Sequence, residues 1–347
     1  MKKLFLLFVA LVAIAATAYS QNEQQCATLQ HGDEVSVFIG TGGFTNAYNA
    51  AEDGDVITLT AGTFSFNNGY IQKSISVYGA GFENDEETGT AVTTLDGKVY
   101  IFVNEGGTKA GIHLEGLYFN NDFTLRSGSL AETLKDCTFK KCYFQNTVYN
   151  GMDTLDNVVF NQCVLMGGMN AGSTWGDAAN VIKNGYFTHC FLNGPIFGYN
   201  PDLSFILLDH CISNTVEYIV YGRGKKLVWT NSIFTVRNGG NTRGLTGDMS
   251  VIKNCLARPS NYIDPTVTVE NLYEDSDIFT DEVSGDYSST RTFELLQPNT
   301  WVGTDGTEVG LHGGTGWNKI PGIPVVKNLK LKVNGTKLNV TYDAEAR

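Results

Sequence analysis

Between residues 139 and 257 a large apolar position and a thiol or hydroxyl position recur in fixed order, three residues apart. Six segments align without gaps: Phe139-Lys-Lys-Cys142-Tyr-Phe, Phe160-Asn-Gln-Cys163-Val-Leu, Phe187-Thr-His-Cys190-Phe-Leu, Leu208-Asp-His-Cys211-Ile-Ser, Trp229-Thr-Asn-Ser232-Ile-Phe and Ile252-Lys-Asn-Cys255-Leu-Ala. Successive Cys/Ser positions lie 21, 27, 21, 21 and 23 residues apart. Alternation of inward and outward side chains puts Phe139, Phe160, Phe187, Leu208, Trp229 and Ile252 in one internal stack and the Cys/Ser set in another. The residues just before the Cys/Ser set, Lys141, Gln162, His189, His210, Asn231 and Asn254, then form a polar ladder at a turn. A period of 21 to 27 residues suits one coil of a parallel β-helix, where coils stack at about 4.8 Å. Leucine-rich repeats have this length, but their signature is absent, and helical repeats are too long.

The patterning also predicts how the solenoid begins and ends. Thr45 to Gly54 carries an N-cap residue, helix formers and a stopping Gly, which predicts a short helix near 45–52 that covers the first coil. Asp55 to Phe64 alternates as a strand, and Ile75 to Gly79 as another. Beyond Cys255 the ladder fades, and Asp264 to Asp286 is acidic and turn-rich. Past Pro321 and Pro324, two alternating runs from Leu329 to Tyr342 flank Asn334-Gly335, the signal of a hairpin with a type I′ turn. A lone hairpin is marginal, so this one is expected to dock on the solenoid or to engage a protein partner. The expected fold is all-β: a right-handed, single-stranded parallel β-helix of about ten coils over residues 21–320, with a capping helix and a C-terminal hairpin segment at 321–347.

Residues 1–20 read as a signal peptide: Lys2 and Lys3, an apolar run from Leu4 to Ala16, then small residues. No other segment is apolar for long enough to span a membrane, so the chain is expected to be secreted or extracytoplasmic without a membrane span. Composition agrees with many corners, since 39 Gly and about 30 Asn enter left-handed backbone conformations at least cost. The formal net charge of −12 argues against nucleic acid and leaves polyanionic glycans dependent on a local basic groove or a bridging Ca²⁺.

The segment Thr45 to Gly81, with Ala-Ala-Glu-Asp-Gly-Asp-Val-Ile-Thr-Leu-Thr-Ala-Gly-Thr-Phe and Ser74-Ile-Ser-Val-Tyr-Gly-Ala-Gly81, resembles the opening coils of the pectin-lyase-like β-helix superfamily. Asp305-Gly-Thr-Glu-Val-Gly-Leu-His-Gly-Gly314 is similar to the closing motif of secreted bacterial β-helix proteins. The resemblance spans roughly residues 40 to 320 and implies the fold, while members of the superfamily include lyases, hydrolases, esterases and non-catalytic surface proteins. It implies Ca²⁺-binding Asp residues and an Arg base for a pectate-lyase-like chain. Leu207-Leu-Asp-His-Cys-Ile-Ser213 resembles the lyase strand motif, but the next coil, Glu217 to Ser232, has no Asp. The Asp-Asp pair and Arg-Ile-Lys motif of polygalacturonase-like hydrolases are absent.

Candidate chemistry is correspondingly thin. Asp209 and His210, with His189 one coil away, form either an acid/base pair or one more rung of the polar ladder, and Arg223 is the cation nearest in sequence. Of the seven Cys residues, Cys142, Cys163, Cys190, Cys211 and Cys255 repeat in one slot, with Ser232 completing the row, the behaviour of core thiols rather than of disulfides or a Zn site. The 27-residue coil carries an insertion around Trp175, and a solenoid's insertions bulge from one face. Trp175, with Tyr199, Tyr218 and Tyr221 from later coils, is a candidate platform for sugar rings, with a loop core as the alternative for Trp175. The expected function is binding of an extracellular or cell-wall polysaccharide without a cofactor or an evident catalytic site. The alternatives are a lyase or hydrolase with an atypical site at Asp209, His210 and Arg223, with Ca²⁺ only if lyase-like, and a structural or adhesive surface protein.

Overall fold

The computed structural model describes residues 25–66, 69–84, 91–104, 106–127, 132–170, 180–194, 196–197, 203–214, 227–235, 250–259, 267–281 and 287–322, and the backbone of 325–334 and 337–345. The chain is a parallel β-solenoid, as its periodicity implies. Three sheets of 14, 10 and 6 strands line its sides, and a fourth sheet has two strands. One coil illustrates the path: Thr133–Lys140 lies in the first sheet, Tyr143–Phe144 in the second and Val148–Gly151 in the third. Six coils carry strands in all three sheets among the described residues, against the expected ten or so. Later coils contribute strands to the first two sheets only among the described residues, with 215–226, 236–249 and 260–266 outside the described set.

The register matches the six aligned segments. Phe139 pairs with Phe160, Phe160 with Phe187, Phe187 with Leu208, Leu208 with Trp229 and Trp229 with Ile252. All six side chains are buried, and Phe160 and Phe187 stack at 4.9 Å between ring centroids. Cys142, Cys163, Cys190, Cys211, Ser232 and Cys255 are fully buried beside them, and the seven cysteines are unpaired. Each slot residue points its Sγ or Oγ at a backbone carbonyl of the coil before, 3.2 to 3.6 Å away. Burial pushes the thiols of Cys137 and Cys255 up to about 12.

The N-terminal end departs from expectation in three ways. Two strands precede the helix, β1 (Cys26–His31) and β2 (Glu34–Ile39), and β1 pairs antiparallel with both β2 and β3 (Val56–Leu59). This hairpin covers the backbone edge of the first parallel rung. Helix α1 runs over Gly43–Ala50 and buries Phe44, Ala47 and Tyr48 against the end of the core. Thr45 is not its N-cap; Gly42 is, and the Thr45 hydroxyl donates to the Ser65 carbonyl instead, at 2.8 Å. The helix opens on Gly43, where a Cβ would stand 2.9 Å from the Phe38 carbonyl oxygen, so this close approach requires glycine. The stretch read as one strand from Asp55 to Phe64 is two, β3 and β4 (Gly62–Ser65), joined by a corner at Thr60-Ala61.

Asparagine also does more than predicted. Asn157, Asn231 and Asn254 do sit at positive φ. Asn120, Asn146 and Asn184 instead donate across coils to Asp96, Asp122 and Asp156 at 2.9, 3.2 and 3.0 Å, and Asn157 and Asn231 likewise reach Asp136 and Asp209. An amide donor above a carboxylate satisfies both groups on a flat ladder, where two stacked carboxylates would repel.

Residues 278–311, acidic and turn-rich at their start, supply a second core. The outward side chains of the second sheet, Val164, Phe191, Ile212, Ile233 and Leu256, are buried under Ile278, Phe279, Phe293, Leu295, Trp301, Val309 and Leu311. At the C-terminus Val325–Asn334 and Lys337–Glu345 pair antiparallel with a bulge between Lys327 and Lys330. Asn334 is paired with Lys337, so it ends a strand rather than centring the expected Asn-Gly turn.

Candidate functional site

The polar ladder lies at the corner between the first and second sheets. Lys141, Gln162, His189, His210, Asn231 and Asn254 all have φ between 47° and 55°, a left-handed conformation that costs non-Gly residues about 1 to 2 kcal/mol each. What these different residues share is a side chain that can bond the C-terminal strap, residues 301–322, which runs back along the solenoid over the corner. Asn254 Nδ2 donates to the Val302 carbonyl at 3.1 Å, and Asn231 Oδ1 accepts from the Thr304 amide at 2.7 Å. His210 meets the Gly310 carbonyl, His189 the Gly313 carbonyl, Gln162 the Gly316 carbonyl and Lys141 the Ile320 carbonyl. Gly322 closes the series by donating its amide to Glu115, 2.9 Å away.

Glu115 is an anchor rather than an open acid. It is 3% exposed, and burial works against its charge, but His113 at 3.0 Å, the Gly322 amide and Lys140 at 3.3 Å outweigh that and hold its carboxyl down to about 2.

The Asp209 and His210 candidates belong to this system. Asp209 Oδ1 accepts from the Thr230 hydroxyl at 2.6 Å and the Asn231 amide at 2.8 Å. His210 is 2% exposed, bonded on one side to Gly310 and on the other to Asp305 Oδ2 at 3.2 Å. The seated strap covers that imidazole, and its contacts are those of the polar ladder. Arg223, Trp175, Tyr199, Tyr218 and Tyr221 lie outside the described residues, as do residues 1–20. Among the described residues no group of His, Cys, Asp and Glu is placed to hold a metal ion.

A more open face, missed from the sequence, is the outer side of the third sheet. Tyr70 pairs in register with Tyr100, Tyr100 with Thr124, Thr124 with Tyr149 and Tyr149 with Asn170, so these side chains share the outer face. Tyr70 and Tyr149 are 40% and 43% exposed. Tyr70 stacks on Tyr100 at 5.1 Å and meets the edge of Phe102 at 5.3 Å, while the Arg126 guanidinium lies 5.6 Å from the Tyr100 ring centre. At one margin Lys98 pairs with Asp122 at 2.9 Å, and Asn146 donates to the same carboxylate. A signal for this face was available: Tyr70, Tyr100 and Tyr149 each alternate with buried neighbours, Ile71, Val99 and Ile101, and Val148, outside the Cys-based alignment.

No protein-family model, curated protein or solved structure matches the chain. The architecture is consistent with the pectin-lyase-like fold, and the chemistry must be read from this molecule alone.

Proposed function

We propose that this chain is an exported β-helix protein related to the pectin-lyase-like superfamily, that it binds polysaccharide through the outer face of the third sheet, and that it does so without catalysis. The observation that carries the reading is the outward aromatic file of exposed Tyr70, half-buried Tyr100 and exposed Tyr149 beside Arg126. A tyrosine ring offers a flat apolar surface to the C–H face of a sugar, and its hydroxyl, with a nearby guanidinium, answers the sugar hydroxyls. Tyr100 and Tyr149 are two rungs apart, about 9.6 Å, which suits contacts to successive units of a chain lying along the solenoid axis. Trp175 and Tyr199, outside the described residues, follow the third-sheet strands Met169–Asn170 and Ile196–Phe197 in sequence.

Affinity electrophoresis against a panel of neutral and acidic soluble polysaccharides, followed by titration calorimetry on any hit, tests the reading. Tyr100→Ala is expected to weaken binding about tenfold, with a stability loss below about 1.5 kcal/mol, the worth of one aromatic pair. Leu203→Ala, at a 64% exposed position outside this face, should leave affinity unchanged. Absence of binding across the panel, or unaltered affinity in a Tyr70→Ala/Tyr100→Ala double variant, refutes the proposal.

A further inference from the structure

Of the six ladder slots, two hold histidine, and the two are adjacent. The imidazoles of His189 and His210 stack at 5.1 Å with an interplanar angle of 7°, and both are buried beneath the strap, 5% and 2% exposed. We propose that His189, stacked on His210, is an acid-released latch for the C-terminal strap, residues 301–322.

The hydrogen-bond pattern distinguishes the two rings. Both nitrogens of His210 face acceptors, the Gly310 carbonyl at 3.1 Å and Asp305 Oδ2 at 3.2 Å. His210 is thereby held against strap acceptors on both sides. His189 has one partner. Its Nε2 donates to the Gly313 carbonyl at 2.9 Å, and its Nδ1 is buried without a hydrogen-bond partner. A proton on that Nδ1 creates an N–H with no acceptor, in a ring already stacked on a second imidazole.

The surroundings favour the neutral ring at His189. Burial pushes its pKa below the ordinary value and His210 adds to this, against the Gly313 carbonyl, Cys190 and Asp209. Asp209 is the solenoid carboxylate that acts on the ring, and it is bonded to Thr230 and Asn231. From the strap, Asp305 and Glu308 face His210; Glu308 is held above its ordinary value by burial first and by Glu294. The slots on either side, Gln162 and Asn231, do not titrate.

The direction follows from linkage. When the strap lifts, His189 meets water and regains an ordinary pKa near 6.5, so the open form takes up the proton more readily than the closed one. Closure is therefore fully favoured above about pH 6.5 and weakens as pH falls below it. One linked proton lets the opening equilibrium rise by up to tenfold per pH unit. Lifting the strap also removes Trp301, Val309 and Leu311 from the outer face of the second sheet. Acid thus uncovers apolar surface that is buried at neutral pH.

Hydrogen exchange of the full chain between pH 7.5 and 4.5, corrected for intrinsic rates, reads the latch directly. Peptides from 301–322 should gain exchange toward tenfold per pH unit below about 6.5, while peptides covering Thr154–Asn161 and Gly185–Thr188 stay protected. His189→Gln copies the donor already used at Gln162 and removes the titration, so its strap exchange should be independent of pH. His189→Asn, which copies the donor at Asn254, serves if the Gln variant does not fold. The proposal is overturned by a wild-type strap that stays closed to pH 4.5, by the same slope in the variants, or by core peptides opening in parallel with the strap.

Discussion

Replacing Cys190 with serine tests the slot chemistry, because the usual cost of burying a hydroxyl should be absent. An unsatisfied hydroxyl in a dry core costs about 1 to 3 kcal/mol. Cys190 is fully buried between Cys163 and Cys211, so a large penalty is the ordinary expectation. Its Sγ, however, lies 3.3 Å from the Phe160 carbonyl oxygen and 3.4 Å from that of Thr188. The natural serine of the row shows how the slot treats a hydroxyl. Ser232 Oγ donates to the Thr230 carbonyl at 2.7 Å and accepts from the Cys211 amide at 3.0 Å. The equivalent partners at position 190 are the Thr188 carbonyl and the Cys163 amide. Cys190→Ser should therefore cost no more than about 1 kcal/mol. Cys190→Ala leaves a small void and costs about 1 to 2 kcal/mol. Cys190→Val must fit two methyl groups against neighbours about 4.8 Å away, and costs about 1 to 3 kcal/mol through overpacking. Guanidinium unfolding under reducing conditions, followed by circular dichroism with a shared m value, orders the three. A serine variant that loses more than about 3 kcal/mol, or more than the alanine variant, refutes the reasoning.

Glu115→Gln removes a buried carboxylate whose folded pKa lies well below its unfolded one, so the stabilisation it supplies is complete above about pH 4.5 and is lost as pH falls toward 2. The wild type should accordingly lose on the order of 3 kcal/mol more than the variant between pH 5 and 2 in chemical denaturation; parallel pH curves would show that the anchor contributes nothing. All seven thiols should resist a thiol-reactive dye in the native protein, and at least five should react once it is denatured without reductant. Two or fewer would mean that the row is bridged.

The coil register was legible in the chain because stacking imposes a strict rule: a residue in one coil must match its neighbours one period away. Phe139, Phe160 and Phe187, and the Cys/Ser row beside them, carry that rule without gaps, so fold class, inward stacks and polar corner could all be placed. The Asp305–Gly314 segment was also recognisable as a closing element, but its target was not. Lys, Gln, His and Asn share an aligned slot but no common side-chain chemistry; their shared role emerges when a strap of carbonyls, 124, 154 and 179 residues away in the chain for His189, Gln162 and Lys141, runs past them. Asp209 and His210 were singled out by residue type alone, and only the strap shows that His210 is enclosed. The β1 and β2 hairpin was missed because it is antiparallel and outside the repeat, and the third-sheet tyrosines because outward positions need not match between coils. Periodicity reports contacts that recur from coil to coil. Contacts made once, between the solenoid and a segment that folds back over it, leave no period behind, and only the tertiary structure decides them.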